Sequence, residues 1–173
     1  MKLETLETCI EVYGTEVYSF CRYLTRSPQE ADDLYQDTFL KLLEIREQLK
    51  FERNPKGYLL SVAVHIWTNK KRKLARRQRI TGPAIPLEEM TIEPEAREAT
   101  PEEQLLQKEQ RERVQQAVYA LPEKYRLPVL LFYMEGQKIP EIAGILKLPE
   151  STVKTRLRRA RMQLEKDLEV DFS

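Results

Sequence analysis

An all-α fold, two small helical domains joined by an acidic, proline-rich linker, is predicted by three features of the sequence. Apolar residues recur at intervals of three and four along most of the 173 positions, the spacing that keeps them on one face of a helix. No run alternates apolar and polar residues as a half-buried strand does, and only five glycines are present. Between Thr81 and Pro101 the periodicity lapses, and Pro83, Pro86, Pro94 and Pro101 fall together in a stretch rich in glutamate. The expected boundaries are 1–79 for the first domain, 80–100 for the linker and 101–173 for the second domain.

The first helix is expected over Leu3 to Leu24, with Leu6, Ile10, Tyr13, Val17, Phe20 and Leu24 as its packing face. Gly14 weakens it by about 1 kcal/mol relative to alanine. Ser27 then caps a second helix, Pro28 takes its first position, and Glu30 completes a capping-box pattern. This helix should reach about Gln48, with Leu34, Thr38 and Leu42 inward and Phe39 and Leu43 beside them. Asp33, Gln36, Asp37 and Leu40 share its outward strip, which can either stay wet or dock a protein. Leu49 to Asn54 reads as a loop, and Asn54-Pro55 as the start of a third helix packed through Tyr58, Leu59, Val62, Ala63, Ile66 and Trp67. That helix turns cationic from Lys70 to Arg79.

Beyond the linker, Thr100 caps a helix with Pro101 first and Glu102 and Glu103 set against the dipole, running to about Ala120. Leu121-Pro122 opens another, to about Glu135, whose apolar body is Leu127, Val129, Leu130, Leu131 and Phe132; Gly136 stops it. Ile139, Ile142, Ile145 and Leu146 make a short helix that Leu148-Pro149 breaks, and Pro149 suits the first turn of the last helix. The second domain is then a four-helix unit whose last two members form a helix-turn-helix. In the final helix Val153, Leu157, Ala160 and Leu164 keep one narrow apolar stripe. At about 100° per residue, Ser151, Thr155 and Arg158 point away from it, flanked by Lys154 and Arg159. A buried seam, a small polar face for base edges and cations for phosphates are what major-groove recognition by such a helix requires.

Net charge is only +1, but its distribution is uneven. Lys70 to Lys73, Arg76, Arg77 and Arg79 form one basic run, and the last helix carries another. Glu88, Glu89, Glu93, Glu95, Glu98, Glu102 and Glu103 face only Arg97 between Ile80 and Gln104. Two basic elements on an acidic tether suggest two contacts with one polyanion. Cys9 and Cys21 lack metal-ligand spacing and read as packing thiols in a reduced interior. His65 is the only histidine, and no Gly-rich phosphate loop is present. No catalytic residue, metal, cofactor or small-molecule substrate is therefore expected. No apolar run approaches the roughly 20 residues that span a bilayer, nor is there a signal-peptide pattern, so a cytoplasmic protein without membrane insertion is expected.

Three segments in this order resemble the extracytoplasmic-function sigma factors, small bacterial initiation subunits of RNA polymerase. They are Ala31 to Leu40 (ADDLYQDTFL), Tyr58 to Ala63 followed by the basic run, and Leu121 to Arg126 (LPEKYR) continuing through Glu141-Ile142-Ala143 to Thr152–Arg161. The resemblance implies that the first domain grips the clamp of core RNA polymerase through Asp33, Gln36, Asp37 and Leu40. It implies that the loop with Phe51, Arg53 and Asn54 takes a flipped base of the promoter's −10 element. Asn69, Lys70, Arg72, Lys73, Arg76 and Arg77 would hold the opened strand. Ser151, Thr152, Lys154, Thr155, Arg158 and Arg159 would meet the −35 major groove. The acidic linker would thread the polymerase's RNA exit path, and an anti-sigma factor would be the release partner. The chain departs from the family's usual residues at His65 (asparagine), Asn69 (aspartate), Lys147 (glycine) and Pro149 (serine). A free-standing helix-turn-helix regulator is the alternative, although it has no need of a second basic domain on an acidic tether.

Overall fold

The computed structural model describes residues 3–48, 54–81 and 100–169. Regular structure among them is helical: α1 (Leu3–Leu24), α2 (Pro28–Glu44), a 3-10 turn (Arg46–Gln48), α3 (Pro55–Thr81), α4 (Pro101–Ala120), α5 (Glu123–Val129), a π turn (Leu130–Met134), α6 (Ile139–Leu146) and α7 (Glu150–Leu168). They form two compact units, one built on α1–α3, the other on α4, α5, α7 and the start of α6. Loop residues 49–53, which include Phe51 and Arg53, and the linker from 82 to 99 lie outside the described residues. Ile80 and Thr81, expected in the linker, extend α3 instead.

In the first unit α1, α2 and α3 pack mutually. Leu6, Val17, Phe20 and Leu24 of α1 are buried as their spacing requires, with Cys9 and Cys21 on the same side. Ile10 is 39% exposed, because the buried sector is centred nearer Cys9. Gly14 has a tertiary reason: a Cβ there would lie 3.0 Å from the Tyr35 hydroxyl of α2. Its weak helix propensity is the cost of letting that ring approach. Tyr35 in turn meets Tyr18 and Phe39 edge-on, at 5.4 and 4.8 Å between centroids.

Helix α2 starts at the expected cap, with the Glu30 N–H donating to Ser27 Oγ at 3.1 Å. The reciprocal half of the capping box differs, for the Glu30 carboxylate accepts from the Arg26 N–H rather than from the cap residue. The α-helical part ends at Glu44, short of Gln48, and the rest is the 3-10 turn. Asn54 caps α3 through its side chain, accepting from the Gly57 N–H at 3.0 Å. Leu59, Leu60, Ala63, Val64 and Trp67 form the buried stripe of α3. That stripe is rotated slightly from the expected one, which leaves Tyr58 37% exposed at its edge.

In the second unit α7 packs on α5 and α4. Thr100 caps α4 as expected, accepting from the Glu103 N–H at 3.3 Å. The helix expected from Pro122 to about Glu135 has two parts. Pro128 lies within α5, and the following π turn closes with the Glu135 N–H reaching the Leu130 carbonyl at 3.0 Å. Gly136 then leaves the helix with φ +65°. Glu141 reaches back to the Lys138 N–H at 2.8 Å and secures the start of α6.

The tight turn between α6 and α7 is made by Lys147 at φ +55°, a left-handed conformation that favours glycine. Pro149 is the N-cap of α7 and not its first helical residue: its ψ of 148° is extended. It offers no side-chain acceptor, and its carbonyl takes the Thr152 and Val153 N–H groups instead.

Candidate nucleic-acid interface

Helix α7 separates its two faces as its spacing requires. Val153, Leu157, Ala160, Leu164 and Leu168 are buried, while Ser151, Lys154, Arg158 and Arg159 are exposed, and Thr152 and Thr155 are half-buried beside them. The Thr155 hydroxyl donates to the Ser151 carbonyl of its own helix at 2.9 Å, which leaves its oxygen as an acceptor. Arg161 is held back: its Nη2 and Nε donate to the Tyr133 hydroxyl at 2.7 and 3.1 Å. The cations expected to meet DNA, Lys154, Arg158 and Arg159, are exposed in the first half of α7, and Lys166 is exposed in its last turn.

A cleft of about 320 Å³ opens beside this face, between Lys124 and Tyr125 at the start of α5 and Ser151, Thr152, Thr155, Arg156 and Arg159 of α7. A hydrogen bond from Arg159 holds the Tyr125 phenol below its usual pKa range, opposed by burial and reinforced by the charge of Lys124.

On α3 every residue from Asn69 to Ile80 is exposed, so Lys70, Arg72, Lys73, Arg76 and Arg77 all stand on open helix. Lys71 places its ammonium 4.2 Å from the centroid of the Trp67 ring, whose body is buried. Asn69 Nδ2 donates to His65 Nε2 at 3.2 Å, one helical turn away. Asn54, expected beside a flipped base, already uses its carboxamide oxygen in the α3 cap.

The outward strip of α2 holds as expected: Asp33, Gln36 and Leu40 are exposed and Asp37 is half-exposed. Leu40 is 57% exposed, an apolar residue among acids. Asp37 Oδ2 accepts from Lys70 Nζ of α3. This pairing joins two residues that the sequence assigned to different surfaces. Both side chains are more than 40% exposed, so the pair is worth no more than about 1 kcal/mol and either member is readily exchanged for another partner.

Two family models match the chain. The sigma-70 region 2 model matches residues 9–77, and the sigma-70 region 4 model matches residues 111–164. The ferric citrate uptake sigma factor FecI of Escherichia coli is 30% identical, over 86% of this chain and 84% of that protein. The ECF RNA polymerase sigma factor SigW of Bacillus subtilis is 27% identical, over 92% of this chain and 86% of that protein.

The chain belongs to the extracytoplasmic-function sigma factors.

Solved structures agree on the fold. The sigma factor RpoE in complex with the anti-sigma factor NepR from Bartonella quintana superposes with a TM-score of 0.82, covering 98% of this sigma factor and 99% of that chain at 21% identity. CnrH in complex with the cytosolic domain of CnrY gives a TM-score of 0.66 over 97% and 90% of the two chains, also at 21% identity. In this sigma factor the region 2 match holds α3 with its cations, and the region 4 match holds the helix-turn-helix. His65 and Asn69, two departures from the usual family residues, are partners in one hydrogen bond. From the sequence, Lys124 and Tyr125 stood only within the LPEKYR segment and Arg156 only among the cations of the last helix, none of them among the residues expected to meet DNA. The first two lie on a different helix from the recognition face, and no periodicity links them to it.

Proposed function

We propose that this sigma factor, which directs RNA polymerase to promoters, divides the work between its two units. Ser151, Thr152, Lys154, Thr155, Arg158 and Arg159 of α7 read the −35 element from the major groove. Asn69, Lys70, Arg72, Lys73, Arg76 and Arg77 hold the opened −10 strand, with the 51–54 loop taking a flipped base. Unstacking a base costs a few kcal/mol, which a cationic track along α3 offsets. The α2 strip of Asp33, Gln36, Asp37 and Leu40 docks on core polymerase. The expected domain limits of 1–79, 80–100 and 101–173 go with this division, with the last turn of α3 carrying the first domain on to Thr81.

The observation that carries the reading is the two-faced α7, buried along one seam and cationic on the other, in a chain that also carries a separate basic helix. A free-standing regulator would need the first but not the second. Sigma-70 regions 2 and 4 on one chain favour the polymerase subunit. The work is non-catalytic, the DNA and polymerase being its ligands, and its place is the cytoplasm; among the described residues no helix is long and apolar enough to cross a membrane. Because RpoE is found in complex with the anti-sigma factor NepR, an anti-sigma factor is the expected release partner here.

Mixing the purified chain with core RNA polymerase on a gel-filtration column tests the reading. Co-elution is expected, and it should be lost in Asp33→Lys. A chain that elutes alone at micromolar concentrations would overturn it.

A further inference from the structure

The cleft beside α7 has a composition that a base-reading helix does not need. Lys124, Arg156 and Arg159 bring three cations to it, no carboxylate lines it among the described residues, and Thr152 adds a hydroxyl. Its volume of about 320 Å³ is ample for a phosphodiester group. Tyr125 lines the cleft together with Arg159, close enough for the guanidinium to hold the phenol below its usual pKa range. The cleft also shares Ser151 and Thr155 with the base-facing strip, which places it at the edge of the proposed reading surface and not on a remote face.

We infer that this cleft is a phosphate clamp: Lys124, Arg156 and Arg159 grip one backbone phosphate of the strand that flanks the −35 bases, and Tyr125 positions Arg159 for it. The inference rests on the reading of α7 as the −35 recognition helix and adds a second kind of contact to it. Ser151, Lys154, Thr155 and Arg158 discriminate bases; Arg159, proposed with them for the −35 groove, serves the backbone in this arrangement, and the clamp sets register and contributes equally on any sequence. It also assigns a purpose to Lys124 and Tyr125, which lie outside the helix-turn-helix.

The test uses holoenzyme reconstituted with the full chain. Its probes are a promoter duplex recovered by selection with that holoenzyme, and the same duplex with its −35 element scrambled. Lys124→Ala with Arg156→Gln should weaken binding several-fold on both duplexes. It should also reduce the slope of log affinity against log salt by roughly 0.9 for each phosphate no longer neutralised. Tyr125→Phe, which removes no charge, should weaken binding while leaving the salt slope unchanged. All these side chains are at least partly exposed, and thermal melts check that the variants fold. Unchanged affinity and slope in the double variant, with Arg158→Ala still relaxing the −35 preference, would overturn the clamp and leave the recognition helix standing. If Arg158→Ala also changes nothing, the reading of α7 falls with it.

Discussion

Arg158 and Lys147 illustrate opposite uses of one side chain. Arg158 is exposed in the middle of the outward strip of α7, with Thr155 and Ser151 on its line. Arg158→Ala should cost roughly 1–3 kcal/mol of discrimination at one or two −35 positions, if it bonds a guanine edge in bidentate fashion. Competition between promoter variants measures this, and undiminished preference at every position would remove Arg158 from the readers. Lys147 is a structural departure: at φ +55° it holds a backbone shape that only glycine adopts without strain. Lys147→Gly relieves that strain but loosens the unfolded chain, so a net gain of up to about 1 kcal/mol is expected in urea unfolding. A clear loss of stability would show that the lysine side chain contributes packing there. Residue types along α7 were legible from spacing alone, since a helix places them at known angles. The backbone angle of Lys147 was not, because lysine carries no signal for a left-handed turn.

At the scale of elements, caps and stripes explain most of what could be read in advance. Ser27 and Thr100 both act as N-caps, since a hydroxyl at that position meets an orphan N–H whatever the rest of the fold does. The buried seam of α7 is what presents the opposite face, so damage to the seam should reach the interface. Leu157, only 5% exposed, is the test: Leu157→Ala should cost about 2–4 kcal/mol and reduce promoter affinity through loss of the helix seat. Melting of the variant, compared with binding well below its transition, separates the two effects. Full affinity in a strongly destabilised variant would show that α7 is seated by other contacts. Less legible were the split of α5 from the π turn and the rotated stripe of α3. A proline within a helix and two adjacent apolar residues each permit more than one local solution, and packing chooses between them.

Over the whole molecule, two basic surfaces on separate units should make DNA affinity strongly dependent on salt, if both meet phosphates as proposed. Arg72→Ala with Lys73→Ala should weaken promoter binding by holoenzyme on all sequences and flatten its salt dependence. Lys71 is a poorer choice for that experiment because its ammonium also sits over Trp67. A salt slope equal to that of the unmodified protein would exclude the middle of α3 from phosphate binding. The Asp37–Lys70 pair joins the outward strip of α2, proposed to dock on polymerase, to the basic run of α3, so neither residue should be treated as belonging to one partner alone.

The helical order, the caps and the two cationic faces could all be read from the residues in a row. Each of these follows from residues a few positions apart, and local angles and spacing decide them. Packing in three dimensions was needed to establish that Asp37 meets Lys70, that Tyr133 ties back Arg161, that Gly14 makes room for Tyr35, and that Lys124 and Tyr125 join Arg156 and Arg159 around one cleft. Those partners are brought together only when one helix packs against another. Distance through space then replaces distance along the chain, and no local pattern records it.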